Sequence, residues 1–117
     1  MNIAIGADHG GYELKTGIAS ALAAKGIKVL DFGTNSTEAC DYSSIGIEVA
    51  KSVANQKADF GVVICKSGIG MSIAANKVKG IRAALCASVE DASSARRHNH
   101  ANVIAISGVK TAAEVAI

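Results

Sequence analysis

The chain has 117 residues, enough for one compact domain and too few for two; half of them are hydrophobic but only 3% aromatic, so the core must be built from Ala, Val, Ile and Leu. A net charge of +2 without a basic run argues against nucleic acid as a partner, and no apolar stretch reaches the roughly 20 residues of a membrane span. Cys40, Cys65 and Cys86 are widely spaced and form no CxxC pair, which reads as free thiols in a reducing, cytoplasmic setting.

Asn2–Ala7 is the first strand candidate, and the opening Met1–Gly6 lacks the charged region and cleavage pattern of a signal peptide. Tyr12–Lys25 follows as a helix, with Leu14, Ile18 and Leu22 on one face and Gly26 as the residue that ends it. Ile27–Phe32 is the second strand; Ser44–Asn55 is the second helix, its face made by Ile45, Val49 and Val53. Phe60–Cys65 and Gly70–Val78 form the third strand and helix. Ile81–Cys86 and Val89–His98 form the fourth pair, with Ser88 and Asp91 spaced as a capping box. Val103–Ser107 is the fifth strand, and Thr111–Ile117 opens an amphipathic helix of about two turns.

Strand and helix in strict alternation predict a parallel sheet with right-handed crossovers. The expected architecture is one α/β domain over residues 1–117, a doubly wound, Rossmann-like five-stranded sheet of flavodoxin-type order with helices on both faces. The 12 glycines and small core residues suggest helices packed close on strands. Ligands of such sheets gather at the carboxyl ends of the strands. Here those ends are Asp8-His9-Gly10-Gly11, Gly33–Tyr42, Cys65–Met71 and Ala87–Asp91.

The segment Cys65-Lys66-Ser67-Gly68-Ile69-Gly70-Met71-Ser72 joins the third strand to its helix. Its glycines let successive N–H groups turn toward one anion, and a helix N-terminus adds roughly half a positive charge. A thiol in that field is expected to ionise more readily, so Cys65 is a candidate base or nucleophile, against the alternative of a buried strand residue. Cys86 has no glycine turn after it and reads as core. Lys66-Ser67 does not complete a P-loop, since Cys65 replaces the Gly before the Lys and Phe60 occupies the first Gly position. Gly68-Ile69-Gly70 does not complete a dinucleotide fingerprint, since Ile73 holds the third Gly position. No cofactor is therefore expected.

Asp8 is placed to hold sugar hydroxyls and His9 to meet a phosphate, or Asp8 simply caps the following helix. Arg96-Arg97-His98-Asn99-His100 ends the fourth helix, where cations are favoured electrostatically. His98 and His100 have the spacing of no standard metal set, whereas His98 alone suits proton transfer near neutral pH.

Together these residues match a known pattern. Gly6-Ala7-Asp8-His9-Gly10-Gly11-Tyr12-Glu13-Leu14-Lys15, Asp41-Tyr42, the run from Cys65 through Gly68-Ile69-Gly70-Met71-Ser72-Ile73-Ala74-Ala75-Asn76-Lys77, Gly80-Ile81-Arg82-Ala83, and His98-Asn99 with Ala101-Asn102-Val103 appear in order. In this the chain resembles type B ribose-5-phosphate isomerases and the related galactose-6-phosphate isomerase subunits. The resemblance implies a cofactor- and metal-free aldose–ketose isomerisation through an enediolate, ribose 5-phosphate being favoured over a hexose 6-phosphate. It implies Cys65 as the base, Ser67 with His98 as the ring-opening pair, and Asp8 at the sugar hydroxyls. The N–H groups around Gly68, Ile69, Gly70 and Met71, with Asn99, would hold the enediolate oxygen. His9 would contact phosphate and Tyr42 the sugar. It further implies a homodimer, sometimes a tetramer, in which His98-Asn99 reaches the neighbouring subunit's site.

Lys66 stands where many members have Gly, Ser43 where they have Pro, and Val109-Lys110 where they have a phosphate-binding Arg, leaving Lys110 as a substitute point charge. The family's further C-terminal helix and arginine-bearing tail are not in these 117 residues. The alternative class is accordingly a flavodoxin-like module that binds a sugar phosphate without efficient turnover.

Overall fold

The computed structural model describes residues 1–8, 11–33 and 42–108, apart from the side chains of residues 33, 42 and 43. Among these residues nine elements follow one another: β1 (Asn2–Ala7), α1 (Tyr12–Ala24), β2 (Lys28–Gly33), α2 (Tyr42–Ala54), β3 (Phe60–Cys65), α3 (Ile69–Asn76), β4 (Ala83–Leu85), α4 (Val89–Asn99) and β5 (Val103–Ser107). Each expected element within the described residues is present; the segment Thr111–Ile117 and Cys40 lie outside them. No helix among the described residues is long and apolar enough to cross a membrane.

The strands form one all-parallel sheet in the order β2-β1-β3-β5-β4. The doubly wound, flavodoxin-like architecture is as expected; within it β5 lies beside β3, and β4 forms the outer edge. That edge strand is shorter than the apolar run Ile81–Cys86 suggested. Around its start, side-chain amides bind the free backbone groups: Asn76 accepts from Ala83 N at 2.8 Å and donates to Ala83 O at 2.9 Å. Asn102 likewise accepts from Arg82 N at 2.9 Å and donates to Gly80 O at 3.0 Å. α3 ends at Asn76 because Lys77 N and Val78 N turn to Ala74 O and Ala75 O, three residues back, tightening the last turn. At α4, Ser88 Oγ accepts from Asp91 N at 3.0 Å, as the capping spacing predicts, while Asp91 Oδ2 accepts from Ala87 N.

The alternation of strand residues divides the core into two layers. Ala4, Val63, Cys65, Val103 and Ala105 face α2 and α3, packing with Ile45, Val49, Val53 and Met71. Ile5, Ala7, Val62, Ile64 and Ile106 face the other side, with Leu14 and Ile18 of α1 and Ala92 of α4. α2 lies close on β1 because Gly6 presents no side chain to it. A Cβ there would stand 2.8 Å from both Ile45 Cγ2 and Val49 Cγ2.

Candidate active site

Strand order reverses at β1, so the crevice expected to take a ligand opens at the carboxyl ends of β1 and β3. Two backbone bonds carry the sheet past its strands there: Asp8 N donates to Ile64 O at 3.1 Å, and Gly108 N donates to Cys65 O at 2.8 Å. Ala7 pairs with Ile64 and Cys65 with Ser107, so continuing the register by one residue sets Asp8, Cys65 and Ser107 side by side on three adjacent chains. Period-two alternation turns all three toward the α2/α3 layer. They are nearly enclosed, at 6%, 5% and 5% exposure. A row of buried polar groups at the switch point is costly unless it is satisfied, and each of the three is engaged.

The Cys65 thiol is built into the turn that follows it. Gly68 N donates to Cys65 Sγ at 3.1 Å, and Ile69 N donates to Ser67 Oγ at 3.2 Å. Gly68 makes this possible with φ 82° and ψ −19°, the left-handed region, as the N-cap of α3. A Cβ on it would also stand 2.7 Å from Leu85 Cδ1 and 3.0 Å from the Ile106 carbonyl carbon. Two of the four backbone donors named from the sequence, Gly68 and Ile69, therefore already hold the thiol and Ser67. The amides of Gly70 and Met71 belong to the first helical turn and have no carbonyl four residues back within the helix. The Met71 side chain is fully buried and Lys66 is exposed. Cys65 and Cys86 are free thiols. Cys86 packs into the α1/α4 layer, and burial, with a smaller push from Asp91, raises its pKa above the ordinary 9.0.

His98 and Asn99 are not beside Cys65 in this chain. They are exposed in the last turn of α4, and Asn99 O accepts from Arg82 Nη1 at 3.0 Å just ahead of β4. That is the amino-terminal end of the sheet, removed from the thiol by about the length of β5, roughly 15 Å. His9 and Lys110 lie outside the described residues, as does the side chain of Tyr42. Ser107 was not among the residues singled out from the sequence. Its signal was slight: one hydroxyl closing an apolar strand, in register with a candidate base.

The fold has counterparts of known kind. A family model described as Ribose/Galactose Isomerase matches residues 3–117. The chain belongs to the ribose/galactose isomerase family. Among similar proteins is ribose-5-phosphate isomerase B of Escherichia coli, 46% identical over 103 residues, which are 88% of this chain and 69% of that one. A galactose-6-phosphate isomerase subunit of Clostridium acetobutylicum is 44% identical over 108 residues, 92% of this chain and 62% of that one. The solved structure of Clostridium thermocellum ribose-5-phosphate isomerase B superposes with a TM-score of 0.97 at 47% identity, covering 99% of this chain and 78% of that chain. That of Mycoplasma genitalium ribose-5-phosphate isomerase B with bound ribulose 5-phosphate superposes with a TM-score of 0.93 at 41% identity, covering 99% and 78%.

Proposed function

We propose that this chain interconverts an aldose phosphate and a ketose phosphate, ribose 5-phosphate and ribulose 5-phosphate being the preferred pair. The observation that carries this reading is the Cys65 sulfur held by the Gly68 amide, beside Asp8, at the switch point of the sheet. Membership of the ribose/galactose isomerase family, and a relative solved with ribulose 5-phosphate, support it.

Cys65 as thiolate takes the proton from C2 of the open aldose and returns it to C1, while one proton passes from O2 to O1, so that the C1 carbonyl becomes a hydroxyl and the C2 hydroxyl becomes the ketose carbonyl. Charge develops on oxygen in the enediolate, and donors aimed at that oxygen in advance lower the barrier most. The first-turn amides of Gly70 and Met71 are the donors left for it. Ser67, with its hydroxyl already accepting from Ile69 N, is positioned to pass a proton in ring opening. Asp8 receives sugar hydroxyls; His9 and Lys110 take the phosphate and Tyr42 the sugar.

His98 and Asn99 complete the site only from a second copy of the chain, because their own Cys65 lies at the other end of the sheet. An apolar patch adjoins the thiol's turn: Ile69 and Ile73 on α3, Leu85 on β4 and Val89 on α4 are all about half exposed or more. A homodimer that covers this patch suits the shared site, and free thiols suit a reducing cytoplasm. The 44% identity to a galactose-6-phosphate isomerase subunit favours hexose 6-phosphates as the second reading. Assaying the chain with ribose 5-phosphate, ribulose 5-phosphate, allose 6-phosphate and galactose 6-phosphate tests the proposal. Turnover of the pentose pair supports it, turnover of a hexose alone moves the assignment to the second reading, and binding without turnover rejects both.

A further inference from the structure

Ser107 stands in register with Cys65 on the neighbouring strand, turned to the same face of the sheet. It is 5% exposed, and its hydroxyl donates to the carbonyl oxygen of Lys66 at 2.6 Å. The next residue, Gly108, donates its N–H to Cys65 O at 2.8 Å. The end of β5 thus grips two successive carbonyls, one on each side of the Lys66 α-carbon. On the far side of the same turn, Gly68 N grips the sulfur. Between these anchors only the Lys66–Ser67–Gly68 backbone is left, and in a planar trans peptide the Lys66 carbonyl direction also dictates that of the Ser67 N–H. Releasing the Lys66 carbonyl therefore frees the segment that carries the Gly68 amide to the sulfur and the Ser67 hydroxyl to Ile69 N.

We propose that Ser107 is a positioning residue for the isomerisation: by holding the Lys66 carbonyl it aligns the turn that sets the Cys65 sulfur and the α3 amides against the sugar. This rests on the isomerase reading above. The contact through which Ser107 acts is the bond to the Lys66 carbonyl. Its effect passes through the backbone, and displacement of a reacting group by about 1 Å is enough to cost roughly 10²-fold in rate.

The test compares wild type with Ser107→Ala and Ser107→Thr, using ribose 5-phosphate with hydrogen or deuterium at C2. Ser107→Ala is expected to lower kcat by about 10- to 100-fold with KM nearly unchanged. It is also expected to raise the primary isotope effect, because misalignment slows proton abstraction and not binding or release. Ser107→Thr keeps the hydroxyl and is expected to recover most of the rate. A mere loss of folded protein would scale the rate and leave the isotope effect where it was. An unchanged kcat, or a fall in kcat with no change in isotope effect, overturns the proposal while leaving the isomerase reading standing. If wild type turns over no sugar phosphate, that reading fails, and alkylation of Cys65 by iodoacetamide, followed by peptide mass mapping, tests the positioning separately. A several-fold change of that rate in Ser107→Ala, reversed in Ser107→Thr, supports it; equal rates overturn it.

Discussion

Gly68 donates its backbone N–H to the sulfur of Cys65 at 3.1 Å, across a turn that only a left-handed residue can close. Strand end, thiol and helix start are thereby one unit, and the conformation of Gly68 is what joins them.

Gly68→Ala should therefore damage both stability and catalysis. A left-handed alanine costs about 1–2 kcal/mol. The added Cβ would stand 2.7 Å from Leu85 Cδ1, an overlap that adds about 1–3 kcal/mol. Urea unfolding should show a loss of about 2–4 kcal/mol, and turnover per folded molecule should fall as well. Wild-type turnover in the folded variant would mean the turn is not part of the chemistry.

Lys15 is among the largest fully buried side chains, 2% exposed, with its ammonium 2.9 Å from Asp31 Oδ1 and 5.4 Å from the centre of the Tyr12 ring. It ties α1 to β2, and Asp31 at 44% exposure keeps one side of the pair in water. Lys15→Ala removes both contacts and a large packed stem, so a loss of about 2–5 kcal/mol is expected in chemical denaturation. A loss below about 1 kcal/mol would show that the pair and its stem are dispensable.

Ser52, in α2, is 5% exposed, and among the described residues its Oγ is the buried side-chain polar atom with no hydrogen-bond partner. Removing such a group relieves a desolvation cost and adds helix propensity. Ser52→Ala should stabilise the protein by about 0.5–1.5 kcal/mol. Destabilisation in the same denaturation experiment would indicate that the hydroxyl is satisfied in solution.

The Cys86 thiol is pushed up from 9.0, first by burial and then by Asp91. The folded state thus holds this proton more tightly than the unfolded chain does. The resulting stabilisation is fully present below about pH 9 and is lost as pH rises through the raised folded value. Stability of wild type should fall more steeply above pH 9 than that of Cys86→Ala. Parallel curves would show that Cys86 does not titrate with unfolding.

Much of this was legible in the chain because the signals are local. Apolar β-branched runs marked the strands, helical spacing picked out Ile45, Val49 and Val53, and glycines after Cys65 marked the turn. What escaped depends on contacts across the fold. β5 lies beside β3 because of where a crossover lands, which no periodicity records. The outer edge of β4 is covered at Ala83 by the Asn76 side chain, a contact that no strand pattern records. Ser107 acquires meaning only from its register with Cys65. The separation of His98 from Cys65 follows from α4 running back to the amino end of the sheet, which their order in the chain does not record.

In the proposed reaction the Cys65 sulfur is the group that moves a carbon-bound proton. The direct measurement is isomerisation of ribose 5-phosphate by wild type and by Cys65→Ala, with circular dichroism and phosphate binding recorded on the same samples. The expected result is a fall of about 10²–10⁴-fold or more in kcat with fold and phosphate affinity intact. A folded Cys65→Ala protein that keeps more than about a tenth of the wild-type rate would contradict it.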